Sequence, residues 1–527
     1  MKESDDHPIA RYMRRFFSGT LLSRVSGMCR DIGMAMAFGD HPSVAAFMVA
    51  FRFSHLLRRL LGEGSLQSIL VPYYQTERLK GDHAGAVLFV RMTWLFVVCL
   101  SVLILFVEGV LSIKSLFIGH GEVVSLFAWL FPGLLFIGLY GLNLAILQCH
   151  GAFFAGSIAP AACNLIWIIA ALWLAKYDTS SAMQTLAFCV VWGFALQWVM
   201  TIPRTWSLFR QGLQARQGSW FPQELKKMGK ASLWSLWGVA AVQLNSFLDM
   251  LFARIANPKG PVYLWYAIRL EQLPLAVVGF ACVYSITPTL TKWIVGNQEE
   301  EAKELFLVGY KRVLLFMIPC TFALFALGFS SVQVLFGRGH FVWEATIETT
   351  WCLFAYALSL LPSTLVVYQS SLFYAYGNVK KPMIASLLSV IVNLACNGVF
   401  VFGLHLGAVS VALSTSLCAF GNYWILKRWF MQSSLLSLRY PALRECFPIL
   451  GASLFALLVS WGMDQLFLGG VFFTDTLAPR ELSLGHQLLY FTCQLLSFLI
   501  ALFIGLGLLS RKMLLEVKDL LFAKEPS

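Results

Sequence analysis

The chain has 527 residues, 58% of them hydrophobic and only 13% charged, about half the charged fraction of a soluble domain. That balance excludes an ordinary soluble enzyme and describes an all-α polytopic membrane protein, because apolar runs near 20 residues recur along it. Lys and Arg exceed Asp and Glu by 39 − 27 = 12, and the excess lies in short connections between spans, not on a basic domain, which argues against nucleic acid.

In chain order, a polar tail with Arg11, Arg14 and Arg15 comes first and reads as a juxtamembrane topology signal. The first apolar stretch holds Arg24, Arg30 and Asp31 and leads into more spans, so it is a spanning helix and not a cleaved signal peptide. The second holds Arg52, Arg58, Arg59 and Glu63. An Arg facing lipid costs on the order of 2.5–3.5 kcal/mol, so these five would cost roughly 12–18 kcal/mol. They are therefore expected to line a watery cavity or to meet counter-charge.

At 100° per residue, Arg52, Arg59 and Glu63 form one stripe, with Arg58 a step away. On the first helix Ser23 and Arg30 share a face, as do Arg24 and Asp31. Asp31 and Glu63 partly neutralise the cluster and leave it net positive, suited to an anion, and guanidinium forks match phosphate oxygens. Taken singly, Arg24, Arg58 and Arg59 also fit snorkelling from helix ends.

Apolar runs follow at 86–107, 124–147, 158–174, 386–402 and 488–508 among others, giving about fourteen spans. Twelve of them divide into two groups of six around the basic loop 204–230. The resulting organisation is an N-terminal half at 1–220, a C-terminal half at 221–432, and two additional helices with a tail at 433–527; a 6+6 core is how many transporters build two rocking halves. Basic residues cluster at alternate connections, including Arg78 and Lys80, Arg204 to Lys230, Lys380 and Lys381, Lys427 to Arg444, and Arg511 to Lys524. The positive-inside bias then puts both termini in the cytoplasm.

Further along, Arg269 and Glu271 precede Pro274 within a span: a kinked helix with an interfacial Arg, or a further cation for the same cavity. Asn245 with Asp249, and Asn393 with Asn397, place oxygens inside the membrane at i,i+4 spacing. These suit ordinary interhelical hydrogen bonds first, and alternatively a monovalent cation, Na+ or H+, that couples transport. The 12 cysteines are scattered without a C-x-x-C pair and read as small buried hydrophobes. The nine histidines show neither catalytic nor metal spacing, and no phosphate-binding glycine loop is present, so neither enzyme nor metal site nor ATP-driven pump is expected.

The blocks Ser23-Arg24-Val25-Ser26-Gly27-Met28-Cys29-Arg30-Asp31, Ala46-Phe47-Met48-Val49-Ala50-Phe51, Leu56-Leu57-Arg58-Arg59-Leu60-Leu61-Gly62-Glu63-Gly64-Ser65 and Val71-Pro72 resemble the opening signature of the MurJ/MviN lipid II flippases. Later blocks match in order: Gln243-Leu244-Asn245 with Asp249, Tyr266-Ala267-Ile268-Arg269-Leu270, Leu273-Pro274, Phe336-Gly337-Arg338-Gly339-His340-Phe341, Phe373-Tyr374-Ala375 and Lys381-Pro382. The resemblance implies a fold of the multidrug/oligosaccharidyl-lipid/polysaccharide exporter type in the bacterial inner membrane. It also implies translocation of undecaprenyl-diphosphate-linked peptidoglycan precursor by alternating access.

By the same resemblance, Arg24, Arg30, Arg58 and Arg269 bind the headgroup, with Asp31, Arg52, Arg59 and Glu63 as supporting charges, and the last two helices offer a groove for the lipid tail. Partners implied are lipid II, membrane lipids and peptidoglycan-synthesis proteins, with the chain acting as a monomer. The chain departs from the family pattern at Ala45, usually acidic, at Ser54-His55, usually Pro-Asn, and at Ile268, usually Asp. An exporter of another lipid-linked sugar or of drugs, a non-transporting envelope scaffold, and a lipid-diphosphate enzyme are the competing readings.

Overall fold

A computed structural model describes residues 6–61, 65–118, 121–215, 243–433, 440, 443–468 and 483–522, and among them there is no strand. The helices are α1 (Asp6–Phe38), α2 (Pro42–Leu61), α3 (Ser65–Leu79), α4 (Asp82–Ile118), α5 (Glu122–Leu130), α6 (Gly133–Cys149), α7 (Phe153–Leu174), α8 (Thr179–Val199) and α9 (Ile202–Gln214). Helical residues 243–256 form α10. There follow α11 (Gly260–Pro274), α12 (Phe280–Val295), α13 (Glu299–Phe336), α14 (Trp343–Ala375), α15 (Lys380–Gly398), α16 (Val409–Gln432), α17 (Leu443–Leu468), α18 (Leu484–Leu509) and α19 (Arg511–Phe522).

Local chemistry sets several of these ends. Gly39 takes a left-handed φ of 60° and its N–H closes α1 on the Ala35 carbonyl at 3.0 Å, so the chain reverses into α2 where a Cβ would be strained. Asp178 caps α8 by accepting from the Ser181 N–H at 3.2 Å. Glu299, Glu300 and Glu301 fill the first turn of α13, where carboxylates favour the positive end of the helix dipole.

The chain divides by packing into two compact units, Met1–Arg254 and Ile255–Ser527. The packing division falls near the end of α10, whereas the boundary expected near 220 lies outside the described residues. In the first unit α7 packs along α1 and α8, α2 packs on α5, α6 and α8, and α9 lies on α4. In the second unit α14 is the central element, against α11, α13 and α16, and α17 and α18 pack on each other and on α13. Phe306, Tyr368, Phe373 and Phe430 fill one core of this unit, and Ile449, Ala452, Phe498 and Leu506 fill another beneath the last two helices. Those helices also share polar contacts, Tyr490 donating to Asp464 and Ser330 of α13 donating to Gln494 at 2.7 Å.

Among the described residues ten helices are long and apolar enough to cross a membrane, or eleven if α5 and α6, bent by 44°, form one span. The difference from fourteen falls on α1, on α2 with α3, and on α10. Charge removes α1 and α2 from a hydropathy count despite their length, and the residues before α10 lie outside those described. Helix α4 shows the membrane signature plainly: Val98, Val102, Leu105, Phe106, Val110 and Ile113 all face outward. Such a continuous apolar face is stable in hydrocarbon and not in water.

Candidate functional site

The charged cluster of the first unit is built on α1, and its centre is Arg30. Sequence geometry places Arg30 and Asp31 as neighbours 100° apart, yet the long arginine side chain folds round the helix to reach the carboxylate. Nε and Nη2 of Arg30 both donate to Asp31 Oδ1, at 3.0 and 2.7 Å. The pair is buried, with side chains 9% and 2% exposed, so Arg30 meets the counter-charge that its depth demands.

Helix α7 supplies the other wall. Asn164 Oδ1 accepts from Arg30 Nη1 at 3.1 Å, while its Nδ2 donates to Ser26 Oγ at 2.9 Å and to the Ser23 carbonyl at 3.4 Å. One turn on, the Trp167 ring lies 4.6 Å from the Arg30 guanidinium carbon, a cation–π contact. Trp167 in turn meets Phe47 and Phe51 of α2 edge-on, at 5.4 and 4.8 Å. An aromatic wall thus backs the arginine and links α1, α2 and α7.

The remaining expected residues are distributed as follows. Arg24 lies on the exposed part of α1, Arg59 is exposed on α2, and Arg52 is half-buried there. Arg58 falls within α2, but its side chain lies outside the described residues, as does Glu63 entirely. Hence the stripe expected for α2 is described only through Arg52 and Arg59. Asn245 donates to Asp249 at 3.3 Å on α10, the expected i,i+4 pair.

The departures from the family pattern have physical settings. Ala45 is completely buried on α2, so an acid there would need a partner inside the core. Ser54 is buried and turns its hydroxyl back onto the Ala50 carbonyl at 3.3 Å, which satisfies it within its own helix.

In the second unit, Arg269 is half-buried on α11 with its guanidinium 4.9 Å from the Trp265 ring. Glu271 is buried two residues on, and the kink expected at Pro274 takes the form of a π-helical turn, Leu275–Gly279, that links α11 to α12. Ile268 is half-buried on the same helix. Asn393 and Asn397 are buried one turn apart on α15. No group of three or more His, Cys, Asp or Glu side chains with metal-binding geometry occurs among the described residues.

Residues 34–478 match the family model described as lipid II flippase MurJ. The chain belongs to the MurJ family.

Curated MurJ relatives extend the match. A probable lipid II flippase MurJ of Chlamydia trachomatis serovar D is 29% identical over 439 residues, 82% of this chain and 80% of the relative. One of Chlamydia pneumoniae is 26% identical over 528 residues, 99% and 95% of the two chains, and one of Aquifex aeolicus is 30% identical over 410 residues, 76% and 79%.

Among solved structures, a lipid II flippase MurJ in an inward closed conformation superposes with a TM-score of 0.73 at 22% identity, over 93% of this chain and 98% of that one. An inward-facing multidrug resistance MATE family transporter of the MOP superfamily gives 0.62 at 15% identity, over 78% and 94%. The fold is therefore the one shared by MurJ and the MATE transporters.

Asn164 and Trp167 escape a reading by sequence alone, because 158–174 presents itself as a plain apolar span. The available signal is one amide in an apolar helix with a tryptophan three residues later, on the same face. Arg254 also escapes it. Its guanidinium donates to the Pro42 carbonyl at 2.8 Å and reaches Glu122 at 3.5 Å, tying the end of α10 to the starts of α2 and α5.

Proposed function

We propose that this chain translocates undecaprenyl-diphosphate-linked peptidoglycan precursor, lipid II, from the cytoplasmic to the outer leaflet of the bacterial inner membrane by alternating access, with both termini cytoplasmic. The observation that carries the reading is the buried Arg30–Asp31–Asn164 cluster on α1 and α7, in a chain of the MurJ family. Relatives named as lipid II flippases supply the substrate.

In this reading Arg24, Arg30, Arg58 and Arg269 bind the anionic headgroup. Arg52, Arg59, Asp31 and Glu63 tune the field around them. Asp31 and Asn164 pair with Arg30, and a diphosphate shares the guanidinium with them. The guanidinium is thus paired throughout, so burying the loaded site costs less than burying bare cations. A monovalent cation, Na+ or H+, is proposed to couple the cycle through Asp249 with Asn245 or through Asn393 with Asn397. No cofactor enters the scheme.

Complementation tests it. A flippase-depleted bacterium is supplied with the wild-type chain or with Arg24→Ala, Arg30→Ala, Arg58→Ala or Arg269→Ala, and lipid II exposed on the outer leaflet is quantified alongside expression. Rescue by wild type and failure of well-expressed variants is expected. Absence of rescue by a correctly inserted wild type overturns the substrate; rescue by every variant overturns the arginine mechanism.

A further inference from the structure

We propose that α7 carries two ligand-directed residues for the headgroup site: Asn164 positions Arg30, and Trp167 donates its indole N–H to an oxygen of the anionic headgroup. The inference rests on the reading of Arg30 as a headgroup ligand.

Asn164 has only one amide orientation that satisfies its surroundings. Its Nδ2 faces two oxygens of α1, Ser26 Oγ at 2.9 Å and the Ser23 carbonyl at 3.4 Å, so its Oδ1 must face Arg30 Nη1 at 3.1 Å. Ser26 is itself fixed by donating to the Ser23 carbonyl at 2.8 Å. The guanidinium is thereby held on two edges, by Asp31 on its own helix and by Asn164 across the helix interface. An arginine fixed in this way loses less rotamer freedom when it takes a ligand than one that floats.

Trp167 supplies the independent observation. Its residue is 3% exposed, and its indole N–H has no hydrogen-bond acceptor among the described residues. A buried donor without an acceptor calls for an explanation. Phe47 and Phe51 meet the ring edge-on and the Arg30 guanidinium lies over its face, and none of these three carries an acceptor.

The Arg30 guanidinium lies over the face of the Trp167 ring and the indole N–H lies in the plane of that ring, so two neighbouring residues present donors, which match a ligand that only accepts, the chemistry of a diphosphate and not of a hydroxyl or an amide. The ring face also takes up part of the guanidinium surface.

The test uses full-length purified protein and two lipid probes, undecaprenyl diphosphate and the uncharged undecaprenol, with affinity and thermal stability measured for each variant. Trp167→Phe keeps an aromatic ring and removes only the N–H. It is expected to bind undecaprenyl diphosphate about tenfold more weakly, the loss of one charge-assisted hydrogen bond, with undecaprenol affinity unchanged.

Asn164→Ala is expected to weaken diphosphate binding to a similar degree. Asn164→Asp, which retains an acceptor but sets a second carboxylate beside Arg30, is expected to weaken it further without affecting undecaprenol. Equal diphosphate affinity in Trp167→Phe and wild type overturns the N–H contact. Parallel loss for both lipids in the Asn164 variants overturns positioning in favour of a purely structural role. If wild type fails to prefer the diphosphate, or Arg30→Ala keeps full affinity, the parent reading fails; if only the α7 variants behave as wild type, this inference alone fails.

Discussion

Arg30 combines a structural and a functional role, and the two separate in a double substitution. Arg30→Ala leaves Asp31 as a buried charge without its main partner, expected to destabilise the protein by about 3–5 kcal/mol as well as to abolish complementation. Adding Asp31→Ala removes the stranded carboxylate, so thermal stability should return towards wild type while complementation stays lost; recovery of both would mean that the pair is only structural. Arg24 offers the contrast. It is exposed, so Arg24→Ala should change stability by less than about 0.5 kcal/mol and still impair lipid II exposure, measured in the same cells. Ala45 and Ser54, where the family usually carries other residues, are both buried, and Ser54 satisfies its hydroxyl on its own helix.

At the scale of elements, close backbone approach decides how α9 sits on α4. A Cβ built on Gly212 would lie 2.3 Å from the Ala86 carbonyl oxygen, a contact with backbone that no rotamer relieves. Gly212→Val is expected to lift α9 from α4 and to cost about 1–3 kcal/mol, read as a lower melting temperature of the purified protein. The span α11–α12 shows a different control. Pro274 withdraws an N–H from the helix ladder, and the chain answers with a π-helical turn from Leu275 to Gly279. The proline was visible in the sequence as a kink; the extra residue per turn was not, because it depends on how Gly279 seats against Thr364 and Met317 in the packed unit. The α1–α7 contact was illegible for a like reason: Asn164 meets Arg30 across 134 residues of chain, and helical periodicity says which face a residue occupies but not which helix lies opposite.

For the whole molecule, the positive-inside pattern makes a direct topological prediction. Green fluorescent protein fused after Ser527 should fluoresce, and alkaline phosphatase fused at the same point should be inactive; active phosphatase there would reverse the assigned orientation. The two compact units each carry their own cores, so truncation before Leu443 should uncover Leu315, Ile318 and Leu327 of α13 and reduce yield of folded protein in detergent.

Composition, span length and the charge of the connections determined by themselves that this is an all-α membrane protein with cationic first helices, since these follow from the cost of moving each side chain into hydrocarbon. The ordered blocks from Ser23 to Pro382 likewise fixed the family resemblance. Only the tertiary structure decided that Asp31 and Asn164 hold Arg30, that Trp167 lies against it with an N–H that meets no acceptor among the described residues, and that the packing division falls after Arg254. Those facts depend on which helices become neighbours, a choice made by the fit of many surfaces at once and not by the pattern along any one of them.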